Sequence, residues 1–406
     1  MSEPALTSRR DARICALIGT GHFLSHFYML TLPPLFLAWR DDFGVSFAML
    51  GLAVALMSGT TALLQTPVGF LVDRYGARPF LVGGTLLMAL SIAAMAFADS
   101  YWMVLALAVL SGVGNSVIHP ADYAILAGSI RKEFMGRAFA IHTFTGNLGF
   151  AMAPPTVALL LLAMDWRGAV LVVGLLGVPV VAAILVQSRI LSDQPKARKA
   201  AGPADGARLL TSRPILAFFA FFLLSAMAGS GITAFLITVL GVLWTTPVAI
   251  ASVALTGYML GNTSGTLVGG WWADKRGGNL LLFVVTLTSI ASGLILSMGL
   301  VDWGEWLLLP VALVAGLCMG ASRTPRDVML KDACPPGEVG KVFGFVSAGL
   351  PLGSAIMPVP MGLLIDFGLA VLVLPVVALL LALSLLCAGV ARGGRAPAPR
   401  GVQPAE

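Results

Sequence analysis

Twelve apolar runs, each close to or above the roughly 20 residues that a helix needs to cross a bilayer, dominate this chain of 406 residues. They cover approximately 12–38, 47–71, 79–98, 101–129, 136–164, 168–190, 214–241, 246–272, 278–300, 304–330, 338–366 and 368–390. Hydrocarbon offers no water to backbone polar groups, so lipid-exposed spans of this length must be helices. The composition agrees, with 58% hydrophobic and 11% charged residues and a mean hydropathy of +0.93, far from the balance of soluble domains. An all-α integral membrane protein with twelve transmembrane helices is expected. Pro33-Pro34, Pro154-Pro155, Pro358 and Pro360 fall inside spans and read as kinks, because neighbouring helices satisfy the groups that proline frees. The polar start with Arg9, Arg10 and Arg13 lacks the pattern of a cleaved signal peptide.

Basic residues set the orientation, since Lys and Arg accumulate in loops kept on the cytoplasmic side. With both ends on one face, all 25 Lys and Arg except Arg40 and Arg167 fall on that face. Both termini are therefore expected in the cytoplasm, in a bacterial-type inner (plasma) membrane. Topology and anionic lipid headgroups then account for the net charge of +6 without a nucleic-acid partner. Trp39, Trp102, Trp166, Trp244, Trp303 and Trp306 gather at the opposite face, as interfacial anchors would. The four Cys lie in or beside apolar or cytoplasmic segments, where thiols pack as small apolar groups.

The chain is also duplicated. Gly69-Phe-Leu-Val-Asp73-Arg74-Tyr-Gly76 and Gly270-Trp-Trp-Ala-Asp274-Lys275-Arg-Gly277 share the spacing Gly-x3-Asp-basic-x-Gly between apolar runs. At a near-constant offset, Gly112 through Asp122 answers Gly316 through Asp327, Gly136-Arg137 answers Gly340-Lys341, and Gly149-x4-Pro154 answers Gly353-x4-Pro358. Six spans separate each pair, so the halves form a parallel repeat about an axis along the membrane normal. Two six-helix bundles, 1–191 and 214–391, are expected, joined by a cytoplasmic linker over 192–213 too poor in apolar residues to fold alone. A cytoplasmic tail follows over 392–406.

All four histidines fall within spans: His22 and His26 in the first, His119 in the fourth, His142 in the fifth. Intramembrane ionisable groups are costly and tend to line cavities, bind substrate or relay protons. His22 and His26 share a helix face, and Asn115, His119 and Asp122 form a stripe at helical spacing. The blander alternative is packing glue between helices for the histidines, and capping or pairing with Arg131 and Lys331 for Asp122 and Asp327. No metal is expected, because His22/His26 is the only closely spaced pair. No phosphate-binding loop or hydrolase motif appears, which argues against ATP as energy source and against an enzyme, and no cofactor is expected.

The repeat, the basic central loop, and the turn Gly69–Gly76 followed by Arg78 resemble the major facilitator superfamily of secondary carriers. Gly112-Val-Gly-Asn-Ser-Val-Ile-His119-Pro120, Gly146-Asn147-Leu-Gly149 and Ser25-His26 are similar to the fosmidomycin-resistance-type efflux subgroup, although Ala121 stands where that subgroup usually has Glu. The resemblance implies a monomeric, proton-coupled carrier of a small organic solute, working by alternating access. It implies a central cavity lined by spans one, four, seven and ten, to which Ser230, Thr233 and Arg323 would contribute, with Arg326 interfacial. It also implies latches at Asp73 and Asp274, which would meet the starts of spans eleven and five near Glu338 and Met135. A carboxylate there would face the unpaired N–H groups of a helix start; the alternative is a solvated loop that only sets topology. Export competes with uptake of an organic anion, and a membrane sensor on a carrier fold is the reading from another class.

Overall fold

The computed structural model describes residues 3–131, 134–191, 210–274, 279–333, 342 and 345–393. Among them the only regular elements are helices. The first half comprises α1 (Glu3–Met29), α2 (Phe36–Phe43), α3 (Phe47–Tyr75), α4 (Ala77–Ala94), α5 (Tyr101–Ser116), α6 (Ile118–Ser129), α7 (Met135–Ala163), α8 (Trp166–Leu175) and α9 (Gly177–Gln187). The second comprises α10 (Arg213–Trp244), α11 (Val248–Asp274), α12 (Leu280–Leu300), α13 (Gly304–Ala333), α14 (Gly349–Ile356), α15 (Pro358–Asp366) and α16 (Val373–Gly393). Without the short α2, these make twelve spans, with α5–α6, α8–α9 and α14–α15 each sharing one. Ten of the spans are long and apolar enough to cross a membrane on that criterion alone. The other two, α1 and α11, are diluted by polar residues such as His22, His26, Asn262 and Thr263.

Proline explains most departures from the expected spans. Pro33-Pro34 do not kink the first span but lie beyond its end: α1 stops at Met29, and the prolines open a short 3₁₀ turn, Pro33–Leu35, ahead of α2. Proline is tolerated at the first positions of that turn, where N–H groups have no partner within the helix. The α5–α6 break precedes Pro120 and the α8–α9 break precedes Pro179, whereas α7 runs on through Pro154-Pro155. The expected tryptophan belt is only partly present. Trp102 and Trp306 are exposed, but Trp39 is fully buried, packed edge-on against Trp166 with ring centroids 6.0 Å apart.

Lipid tails are as apolar as leucine, so these helices associate through close contact rather than hydrophobic exclusion. Glycine permits that contact. Gly261, Gly265 and Gly269 of α11 press against the carbonyls of Leu313, Leu317 and Ala321 in α13, and Gly316 and Gly320 of α13 press back on Tyr258 and Asn262. The first half repeats the device, with Gly112 of α5 against the Met57 carbonyl of α3. The duplicated pair Gly112 and Gly316 thus serves the same contact in both halves.

The halves meet along two seams, α3 with α14 and α15, and α7 with α11. At the first seam Gly51 packs on the Pro358 carbonyl and Gly362 on that of Phe47. The Asp366 carboxylate crosses between the halves there and accepts hydrogen bonds from the Phe47 and Ala48 N–H groups at 2.7 and 2.8 Å. It caps a helix belonging to the other bundle. Asp165, just beyond the end of α7, instead caps its own following helix, accepting from the Gly168 N–H at 2.8 Å. At the face carrying the N-terminus, Arg10 donates to the Ser129 and Ile190 carbonyls and Arg131 pairs with Asp11.

The charged turns are only partly described. Gly76 joins α3 to α4 at φ 90°, a conformation that favours glycine. Gly69 and Gly270 do not bring helices together as expected, since a side-chain carbon at either would meet nothing within 4 Å. The Asp73 and Asp274 side chains, Lys275, Gly277, Glu338, the Met135 side chain, linker residues 192–209 and tail residues 394–406 lie outside the described residues.

Losing an N-cap costs about 0.5–2 kcal/mol. Asp366→Ala, which removes both acceptor oxygens, is therefore expected to shift the balance towards a state open beside Phe47 by roughly 2- to 30-fold. Spin-label distances across the α3–α15 seam measure this, and an unchanged distribution would exclude the cap as a closure element.

Candidate functional site

Three separate helices bring all four histidines into one cluster. One helical turn places His22 and His26 on the same face of α1, with ring centroids 4.3 Å apart. His119 enters from α6, 5.0 Å from the His22 ring, and His142 from α7 stacks on His22 at 3.6 Å. The close approach of α1 to α7 depends on Gly146 and Gly149. A side-chain carbon at Gly146 would fall 2.8 Å from His22 Nδ1 and 2.9 Å from His26 Cε1, and Gly149 abuts the Phe23 carbonyl.

Hydrogen bonding orients the cluster. His22 Nδ1 lies 2.7 Å from the His142 carbonyl, which only accepts, so this nitrogen carries the proton. Thr145 donates to the same carbonyl at 2.9 Å. His142 Nε2 lies 3.0 Å from Asp122 Oδ2, and both side chains are buried. Asp122 pairs with His142 rather than with Arg131, whose partner is Asp11. His142 and Asp122 thus form a buried acid–base pair able to share one proton. The other carboxylate oxygen, Asp122 Oδ1, has no hydrogen-bond partner.

A cavity of about 340 Å³ lies between the halves beside this cluster. Phe150 forms part of its wall, with the His26 ring behind it at 4.2 Å and tilted by 34°. The second half contributes Ser230, Thr233, Tyr258, Asn262, Arg323 and Arg326 to the lining. Arg326 is not interfacial, as expected from sequence, but largely buried, pairing with Asp327 at 2.9 Å and lying 3.8 Å over the Phe222 ring. Asp327 likewise pairs with Arg326 and not with Lys331. Arg323 has no ion-pair or hydrogen-bond partner among the described residues and presents its charge to the cavity.

Ser230, Thr233 and Arg323 therefore line the cavity itself, while His22, His26, His119, Asp122 and His142 cluster behind its wall. Asn115 joins neither group. Its amide reaches Met29 Sδ at 3.2 Å and Thr61 Oγ1 at 3.3 Å, and Val117 separates its helix from that of His119. Sequence reasoning missed Asn147, Phe150, Tyr258 and Asn262. The isolated polar residues Tyr258 and Asn262 within apolar α11 were the available signal.

Gly146→Ala is expected to push the His22 and His26 rings apart and to destabilise the protein by about 1–3 kcal/mol. Thermal unfolding in detergent tests this, and an unchanged midpoint would exclude Gly146 as the spacer.

The sequence profile described as Major Facilitator Superfamily matches residues 18–251 and again 224–406. The chain is 25% identical over 364 residues to the fosmidomycin resistance protein of Escherichia coli, covering 86% of each. A multidrug resistance protein MdtH from Cronobacter sakazakii is 30% identical over 34% of this chain and 35% of its own. Among solved structures, the nucleoside transporter NupG superposes with a TM-score of 0.76 at 14% identity, covering 93% of this chain and 99% of that one. A bacterial homologue of the lysosomal transporter Spinster, in an inward-facing occupied conformation, gives 0.73 at 13%, covering 97% and 96%. With its twelve spans, its parallel repeat and a cavity on the seam between bundles, the chain belongs to the major facilitator superfamily and is a membrane transporter, not an enzyme.

Proposed function

We propose that this transporter is a proton-coupled carrier that exports a small organic anion by alternating access. The observation that carries the reading is Arg323, a cation without an ion-pair partner among the described residues, facing a cavity between two bundles. A guanidinium cannot release its proton at physiological pH, but it holds a carboxylate or phosphonate through paired hydrogen bonds. The proton would travel on the buried Asp122–His142 pair, since imidazole changes charge between pH 5 and 8. Basic loops place both termini in the cytoplasm of a bacterial-type inner membrane, so the Asp366 closure faces outward. The relative named a fosmidomycin resistance protein makes that phosphonate the first solute to test.

The test is flux in proteoliposomes under an imposed pH gradient. The wild-type chain is expected to move the phosphonate against the proton gradient. Arg323→Gln is expected to lower flux at least 10-fold, about 1.4 kcal/mol or more of lost recognition. Asp122→Asn is expected to keep solute exchange but lose acceleration by the gradient. Binding without flux would favour a sensor, and gradient-driven entry of small carboxylates would favour the uptake reading, which Arg323 serves equally well.

The turns at Asp73 and Asp274 would act as cytoplasmic latches, opposing the Asp366 cap. Asp73→Asn is then expected to shift the same spin-label distances opposite to Asp366→Ala. No shift in a variant that reaches the membrane would reduce the turn to a topology signal.

A further inference from the structure

We infer that His22, His26 and His119 form a binding site for a borderline divalent transition metal, the class of zinc, nickel and cobalt. One ring nitrogen from each lies within 4.8 Å of the other two. His22 Nε2, His26 Nδ1 and His119 Nδ1 are buried with no hydrogen-bond partner. Orphaned polar atoms of this kind are rare, and one ion would satisfy all three. The rings are inclined to one another by 59°, 70° and 69°, which suits ligands converging on a point rather than a stacked aromatic pack.

The surroundings fit the same ligand. His22 gives its Nδ1 proton to the His142 carbonyl, leaving Nε2 as the free donor. Metal-binding histidines hold their second nitrogen in this way, which fixes both tautomer and ring orientation. Neutral imidazole suits zinc, nickel and copper, whereas magnesium and calcium require oxygen donors. A tetrahedral ion with bonds of about 2.0–2.1 Å sets its donors roughly 3.3 Å apart, so ring movements of about an ångström close the site. The fourth position is left for water or an anion. Asp122 Oδ1, lacking a hydrogen-bond partner, offers negative charge in the same cluster. Phe150, packed against His26 and lining the central cavity, stands between the site and the solute path. This reading is independent of proton coupling, which is assigned to Asp122 and His142.

Spacing along the chain hides the site, since His119 reaches the first-span pair only through the packing of α6 on α1. The chain has only four histidines, all in this cluster, so background binding is low. Cobalt(II) titrated into the full chain, purified in detergent without a histidine tag, is the direct probe. One equivalent is expected to give the visible absorption of low-coordinate cobalt, removed by zinc and unaffected by magnesium. His26→Gln and His119→Gln are each expected to weaken binding at least 10-fold. X-ray absorption of the zinc-loaded wild-type protein supplies a second readout that does not depend on membrane insertion of a variant. Three imidazole nitrogens around zinc would support the site. Fewer than three, no cobalt band, or equal binding by wild type and both variants would overturn it.

Discussion

Close approach of helix backbones through glycine is the interaction on which this molecule depends. In a membrane, apolar side chains gain little by leaving lipid for protein, so contact must be earned by fit. Gly261, Gly265 and Gly269 let α11 lie directly on α13, and Gly51 and Gly362 do the same across the seam between the halves. Gly146 and Gly149 bring α1 so near to α7 that four imidazoles share one small volume. Bulkier residues at these positions would hold the same helices apart and disperse the site.

The repeat divides the labour. Its two copies supply the same scaffold, visible where Gly112 and Gly316 make equivalent contacts, while the chemistry stays unequal. Titratable groups gather behind the wall of the first bundle, and fixed positive charge stands on the wall of the second. Phe150 lies on the boundary between the two. A solute in the cavity would thus meet a permanent charge on one side and groups able to change charge on the other.

Much of the fold could be read from the chain because span length, basic loops and duplication are one-dimensional signals. Some of the local departures lie at prolines: the first span ends at Met29, ahead of Pro33-Pro34, and the fourth breaks into α5 and α6 before Pro120. The site was legible in residue type but not in arrangement. That all four histidines were intramembrane was visible at once. That His142 would hold Asp122, and that Arg326 would sit on Phe222 rather than at the interface, depends on helix rotation and inter-helix distance, which periodicity does not determine.

Asp165 follows the fifth span and Asp366 ends the eleventh, and the first caps its own next helix whereas the second reaches into the opposite bundle. Duplication has left one seam bolted and its twin without the same bolt. A machine built from two near-identical parts thereby acquires a handedness of opening, more like a door with one latch than a balance with two equal arms.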